Sequence, residues 1–508
     1  MPPETTVSPA RGALDAKRWQ ALVFIAMAQL LVVLDGTIVT IALPSATTDL
    51  GISDGNRQWV ITAYALAFGG LLLFGGRVAD LWGRRRAFVI GLAGFGLASA
   101  LGGAAQNELM LYSSRALQGV FGALLAPAAL SLLTVLFTDA KERAKAFGIY
   151  GAIAGAGAAI GLLLGGALTD YLDWRWTFFV NIPFVAAAII GTLMVIREPE
   201  EARNRSSLDV PGAVLASLGL VALVYGFARA EHEDWTETWT VVMLVSAVVL
   251  LALFVVVEAR TKAPLLPLSV ITDRNRGGSY LSLGLAIIGM FGLFLFLTIY
   301  LQGIRGYSPV RTGFAFMPMV VGMIIGSTQI GTRLVTRVRP GLLMAPGFAV
   351  AALGMLLLTQ LDMNTSYWGI IAPAQVLLGL GMGTAFMPGM SLATERVKPT
   401  DAGVASAMVN VSQQVGGAIG TALLNTIAAS ATTAYIGARF DGPEELAPLP
   451  VRAAGAVDGF AQGIWWAFFI LVIAAVLAAV LINSKGSHGP AVSQGGDEEG
   501  APIPVMAH

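Results

Sequence analysis

The chain has 508 residues, a mean hydropathy of +0.73, and 12% charged residues, about half the charge of an ordinary soluble domain. This excludes a soluble globular protein and puts most of the chain in a membrane, where its 60 glycines suit close helix packing. Zero net charge leaves no footprint for nucleic acid, and the lack of cysteine excludes disulfides and thiolate metal sites. His232, His488 and His508 fall in a loop or the tail, so neither a metal nor another cofactor is expected.

A helix needs about 20 apolar residues to cross roughly 30 Å of hydrocarbon. Fourteen stretches qualify: 20–44, 58–80, 87–105, 109–136, 144–169, 175–196, 211–229, 237–257, 277–303, 312–335, 341–361, 367–390, 404–430 and 463–483. The first lacks a small-residue cleavage site and reads as a retained helix rather than a signal peptide. With both termini cytoplasmic, 23 of the 31 Lys and Arg lie in cytoplasmic segments and seven in external loops. That is the positive-inside pattern, and it supports an even number of crossings.

Helix 1 contains LLVVLDGTIVTIALP (30–44), with Asp35 in an otherwise apolar run. Helix 2 ends in GGRVADLWGRRR (75–86), where Gly76, Asp80, Gly83, Arg84 and Arg85 lead into helix 3. The four-residue gap from Asp80 to Arg84 allows the carboxylate to approach a guanidinium or a neighbouring helix end. Such contacts would latch the cytoplasmic face in one conformation; the alternative is topogenic charge without a gating role. Helix 4 carries Arg115 and Gln118 in RALQGVFGA (115–123).

A charge at the bilayer centre costs about 2.5–3.5 kcal/mol on insertion scales, so buried charges pair or line a cavity. Counted along the helices, Asp35 and Arg115 lie roughly 13 and 9 Å from the external ends. They can therefore share one polar layer, either directly or through Gln118 and water. Asp35 is the only carboxylate placed well inside a span. Burial favours its neutral form and Arg115 its charged form, a balance that suits one proton taken up and released per cycle. A structural ion pair is the alternative. In helix 5, Gly157, Gly161 and Gly165 line up on one face at a spacing of four, as close helix packing requires.

Helices 7 and 8 flank the acidic external loop AEHEDWTET (230–238). In the second half, GTRLVTRVRPGLL (331–343) echoes the basic turn after helix 2, with Thr336 at the place of Asp80. GLGMGTAFMPGMSLAT (379–394) echoes QGVFGALLAPAALSLL (118–133), with Pro388 matching Pro127. Helices 1–6 and 9–14 therefore read as related bundles separated by an insertion. The expected segments are 1–19 (cytoplasmic), 20–196 (first bundle), 197–276 (linker and insertion), 277–483 (second bundle) and 484–508 (disordered tail). Repeated halves with a site between them are the usual build of secondary transporters.

The motifs in 34–44, 75–86, 115–123 and 174–183 (WRWTFFVNIP) occur in order along the chain. Together they resemble the major facilitator superfamily, in particular its fourteen-helix drug:proton antiporter family of the EmrB/QacA kind. The resemblance implies an all-α membrane fold of two six-helix bundles plus two inserted helices. It also implies a gating role for the turn after helix 2. One departure is GLLLGG (161–166), where Leu162 replaces the proline of the family's antiporter motif.

The expected function is proton-coupled export of hydrophobic, cationic or neutral compounds from the cytoplasm by alternating access. The alternatives are an exporter dedicated to one metabolite, antibiotic or lipid and, more remotely, a membrane-embedded enzyme or sensor. No cluster of His, Cys or acids and no P-loop supports an enzyme or direct ATP use. Asp35 and Arg115 are the expected proton-coupling pair. Asp35, Gln118, Trp59, Tyr64, Phe294, Asn410 and Gln413 are the expected substrate contacts, although such amides and rings also serve interhelical packing. Protons, a small hydrophobic substrate and membrane lipids are the expected partners of a monomer in a bacterial inner or plasma membrane.

Overall fold

A computed structural model describes residues 9–53, 56, 59–196, 208–335, 337–395, 397–443 and 446–483. The tail 484–508, linker residues 197–207 and Thr336 lie outside the described residues, as does the side chain of Leu162. Apolar runs with internal backbone hydrogen bonding can cross a bilayer only as helices or closed barrels, and among the described residues every long element is helical.

The membrane helices are α1 (Pro9–Leu50), α2 (Trp59–Trp82), α3 (Arg84–Gly103), α4 (Glu108–Leu136), α5 (Ala140–Tyr171), α6 (Trp176–Val195) and α7 (Val210–His232). They continue as α8 (Thr238–Glu258), α9 (Arg274–Ile304), α10 (Val310–Leu334), α11 (Pro340–Leu358), α12 (Tyr367–Ala393), α13 (Pro399–Gly437) and α14 (Leu449–Leu481). Thirteen of these are long and apolar enough to span a membrane over their described residues, and α5 stands at the remaining expected crossing.

The ends differ from the apolar runs. The last helix begins at Leu449, not near 463, and the first reaches Leu50, not 44. A helix does not stop where hydrocarbon stops, because its backbone hydrogen bonds continue into the interfacial layer. Asp35 is therefore farther from the end of its helix than the apolar count implied. The π-helical stretches Tyr300–Ile304, Gly326–Gly331 and Tyr367–Ile371 interrupt the second half. Pro127 and Pro388 both sit inside their helices, at matching places in α4 and α12.

In the first bundle, α4 packs against α2 and α3, and α1 against α4, α5 and α6. In the second, α12 packs against α10 and α11, α13 against α9, and α14 against α9, α11 and α13. The halves meet along two seams: α2 and α4 against α13, and α5 against α10 and α12. Helix α7 pairs with α8 and lies on both α2 and α13, so the insertion straddles the first seam. Its external loop is tied down by Trp235 Nε1, which donates to Thr426 Oγ1 of α13 at 2.8 Å.

Candidate functional site: a buried ion pair and a cytoplasmic latch

Asp35 is fully buried, and so is the polar cluster around it. Arg115 and Gln118, three residues apart, share a face of α4 directed at α1. Arg115 Nη1 donates to Asp35 Oδ2 at 2.6 Å and to Gln118 Oε1 at 2.7 Å. Gln118 Nε2 donates to Asp35 Oδ1 at 2.7 Å and to Ser99 Oγ of α3 at 2.9 Å. The pair is thus joined both directly and through Gln118.

Arg115 has further partners independent of Asp35. Its Nε donates to the Val60 carbonyl at 2.9 Å, and the guanidinium carbon lies 4.5 Å from the centre of the Tyr64 ring. Tyr64 in turn stacks on Phe68 at 5.5 Å. From α6, Asn181 Nδ2 lies 3.4 Å from Asp35 Oδ1 and 3.3 Å from Ser99 Oγ.

The glycine face of α5 holds α1 against this cluster. A side-chain carbon on Gly157 would lie 2.9 Å from Val33, and one on Gly165 would lie 3.0 Å from Ile38. At Gly161 it would collide with Thr37 Oγ1, two residues beyond Asp35. The external end is stapled by Arg175 Nη1, 2.8 Å from Asp49, and by Trp174 Nε1, 3.2 Å from the same carboxylate.

A second constellation sits at the cytoplasmic end of the first seam. Asp80 pairs with Arg84 at 2.7 Å, both fully buried. Asp80 also accepts from the amides of Gly403 (2.9 Å) and Val404 (3.2 Å), at the start of α13. A carboxylate there satisfies amides that the helix cannot and complements the positive end of its dipole. Arg84 donates onward to the Pro399 carbonyl and to Ser131 Oγ of α4, while Arg77 pairs with Asp401 at 3.5 Å.

Close approach requires glycine on both sides, since a side-chain carbon on Gly76 would lie 2.6 Å from the Gly403 carbonyl. Gly83 turns the chain at φ 98°, a conformation glycine adopts freely. Arg85 reaches the Leu193 carbonyl of α6 at 2.8 Å.

The other seam closes through a hydroxyl and a guanidinium. Ser327 Oγ donates to the Gly148 carbonyl at 2.6 Å. Arg143 donates to the Ser391 carbonyl at 2.9 Å and lies 3.0 Å from Thr394 Oγ1. These bonds join the two halves at their cytoplasmic ends.

Trp59, Phe294, Asn410 and Gln413 are not brought to the Asp35 cluster. Trp59 stacks on Tyr225 of α7 at 6.1 Å, and Phe294 contacts Phe316 at 5.1 Å. Asn410 bonds to the Ser406 carbonyl of its own helix at 3.0 Å, and Gln413 is half-buried one turn further on. Sequence reasoning missed Ser99, Asn181 and Arg77. Asn181 was visible as an isolated amide in WRWTFFVNIP, and Arg77 as a charge one turn before Asp80. Ser99 carries no such signal, because a hydroxyl in a helix can bond to its own backbone.

Residues 25–421 match the sequence profile of the Major Facilitator Superfamily. The puromycin resistance protein pur8 of Streptomyces alboniger is 54% identical, over 93% of this chain and 92% of that protein. The cephamycin export protein CmcT of Amycolatopsis lactamdurans is 39% identical, over 81% and 85% respectively. Among solved structures, the human organic anion transporter MFSD10 (TETRAN) is similar in fold. It superposes at a TM-score of 0.60 with 14% identity, over 89% of this chain and 99% of that one.

Proposed function

Because the chain belongs to the major facilitator superfamily, we propose that it exports hydrophobic, antibiotic-like compounds from the cytoplasm in exchange for protons. It is a multi-pass transporter of the cell membrane and not an enzyme. In this reading, residues 20–196 and 277–483 are bundles that rock against each other, and 197–276 bridges them.

The observation that carries the coupling assignment is the bonding of Asp35. Its carboxylate is buried and held by Arg115 and Gln118. Arg115 keeps three other contacts, to Gln118, the Val60 carbonyl and the Tyr64 ring. Protonation of Asp35 would therefore not strand the guanidinium without a partner, and both states of the acid are accommodated. The membrane potential supplies about 2.3 kcal/mol per charge per 100 mV to drive the cycle.

In this reading Asp80, Arg84 and the Gly76–Gly403 contact form the cytoplasmic gate, which the bonds between α2 and the start of α13 support. Phe294, Asn410 and Gln413 supply an aromatic and polar lining for the substrate path. Trp59 and Tyr64 join that lining when Tyr225 and Arg115 release them.

The test is uphill transport by the purified chain in vesicles with an imposed pH gradient, beginning with puromycin. The gradient should drive accumulation by the unaltered chain. Asp35→Asn should lower it at least tenfold while retaining substrate exchange without a gradient. Undiminished uphill transport by the variant would remove Asp35 from the coupling role. A second reading, export of a single compound, draws on relatives named for one compound each. Competition by unrelated lipophilic cations separates the two readings: inhibition indicates a broad exporter, and none a dedicated one.

A further inference from the structure

The inserted hairpin buries two acids that the exchange cycle above does not use. Asp209 caps the start of α7, its Oδ1 accepting from the Gly212 amide at 3.0 Å. Glu258 ends α8, its Oε2 accepting from the Leu266 amide at 3.1 Å. Asp209 is 7% exposed and Glu258 is 3% exposed. The second oxygen of each, Asp209 Oδ2 and Glu258 Oε1, is buried without a hydrogen-bond partner.

Both oxygens border the same point beside Gly212. A side-chain carbon placed on Gly212 would lie 2.7 Å from Asp209 Oδ2 and would also collide with Glu258 Oε1. A side-chain carbon there has no room beside either oxygen, and neither oxygen has a hydrogen-bond partner. Two buried carboxylates set this close to one glycine repel, and a single proton held by the pair lifts that repulsion.

Among the described residues, the charged groups that act on Glu258 include one that also belongs to the latch. Arg77 of α2 lies near enough for its charge to favour the ionised form of Glu258. It pairs with Asp401 of α13 at 3.5 Å and also acts on Asp80, one turn further along α2. Arg260 and Lys262, in the turn after α8, are exposed to solvent.

We propose that Asp209 and Glu258 form a second proton-binding site, which holds one shared proton while the cytoplasmic latch is closed and releases it to the cytoplasm as the latch opens. With the proton bound, the pair carries a single negative charge and leaves Arg77 to Asp401. When the proton leaves, the pair carries two, and the guanidinium is drawn toward α8 and away from α13. The proton goes to cytoplasmic water, and Arg77 offsets the charge left behind. The inserted helices then have a task beyond bridging the bundles: they make the first seam respond to cytoplasmic pH. This inference rests on the alternating-access reading, but not on Asp35 as the coupling acid.

The experiment uses the full chain in nanodiscs and exploits its lack of cysteine. Ala407→Cys places a thiol on the α13 face that meets Gly76 in the closed seam. Its labelling by a maleimide, corrected for the intrinsic ionisation of a thiol, reports latch opening. The labelling rate should rise with pH by up to tenfold per unit across the transition, as release of one linked proton requires. Glu258→Gln and Asp209→Asn each mimic the protonated acid and should make labelling slow and independent of pH. Melting temperatures close to the parent's identify these as folded variants. Asp35→Asn in the same background should keep the pH response, which separates this site from the coupling acid.

A flat response in the parent would overturn the proposal. So would an undiminished response in folded Glu258→Gln and Asp209→Asn variants, which would move the titration to Asp80. Absence of gradient-driven export, by contrast, would overturn the exchange reading and leave the labelling result standing.

Discussion

Asp35 and Arg115 satisfy each other so fully that removing one changes the state of the other. Arg115→Met would leave the Asp35 carboxylate buried with only the amide donors of Gln118 and Asn181. Breaking a buried pair from one side costs about 3–5 kcal/mol, because the survivor is an uncompensated charge. The variant should therefore melt well below the parent, and Asp35→Asn on top of it should recover part of the loss. An additive double variant would mean that the two residues do not share one interaction. Gly83 is a simpler case: at φ 98° a side chain is strained, so Gly83→Ala should cost about 1–3 kcal/mol in thermal unfolding. The acid and its cation were legible in the sequence because charge in an apolar run is costly and must be compensated. Ser99 and Asn181 were not, because a hydroxyl or an amide in a span fits packing and function equally well.

At the scale of the helix, the proposed exchange site and the proposed latch share one rod. α4 carries Arg115 and Gln118 towards one end and Ser131, the partner of Arg84, sixteen residues further along. At 1.5 Å per residue those positions are about 24 Å apart. α2 lies tightly on α4, where a carbon on Gly119 would lie 2.5 Å from the Tyr64 carbonyl. α5 fixes α1 in the same manner, and here two glycines separate packing from composition. Gly161→Leu should displace α1 and lower the melting temperature together with transport, whereas Gly151→Ala enters open space and should be neutral. Equal melting temperatures for both variants would contradict the α1–α5 contact. The spacing of four made the glycine face legible. That its partner is the helix bearing Asp35 was not, because periodicity names a face and never its neighbour.

Across the whole molecule, the bonds at the cytoplasmic ends would, in the proposed cycle, hold one of two exchanging states. On the first seam, Asp80 is tied to the start of α13 and Arg84 to Pro399; on the second, the bonds run through Ser327 and Arg143. Asp80→Asn removes a charge from the first seam and leaves the second intact. It should raise cytoplasmic labelling of a thiol introduced by Ala407→Cys about tenfold, a population shift worth about 1.4 kcal/mol. Unchanged labelling would argue that the second seam alone keeps the cytoplasmic side shut.

The sequence alone determined the membrane character of the chain, the long apolar helices and the two buried acids of α1 and α2. Each follows from a large local cost, of hydrocarbon against water or of charge against oil, that composition and order along the chain cannot hide. Tertiary structure alone decided which partner each polar group took. It set Gln118 between Asp35 and Arg115, placed the amides of Gly403 and Val404 over Asp80, and laid α7 across the seam of α2 and α13. It also set the free oxygens of Asp209 and Glu258 beside the same glycine, Gly212, although 49 residues separate them in sequence. Pairings of this kind arise from the mutual placement of helices. Many residues far apart in the chain set that placement together, and no short stretch specifies it.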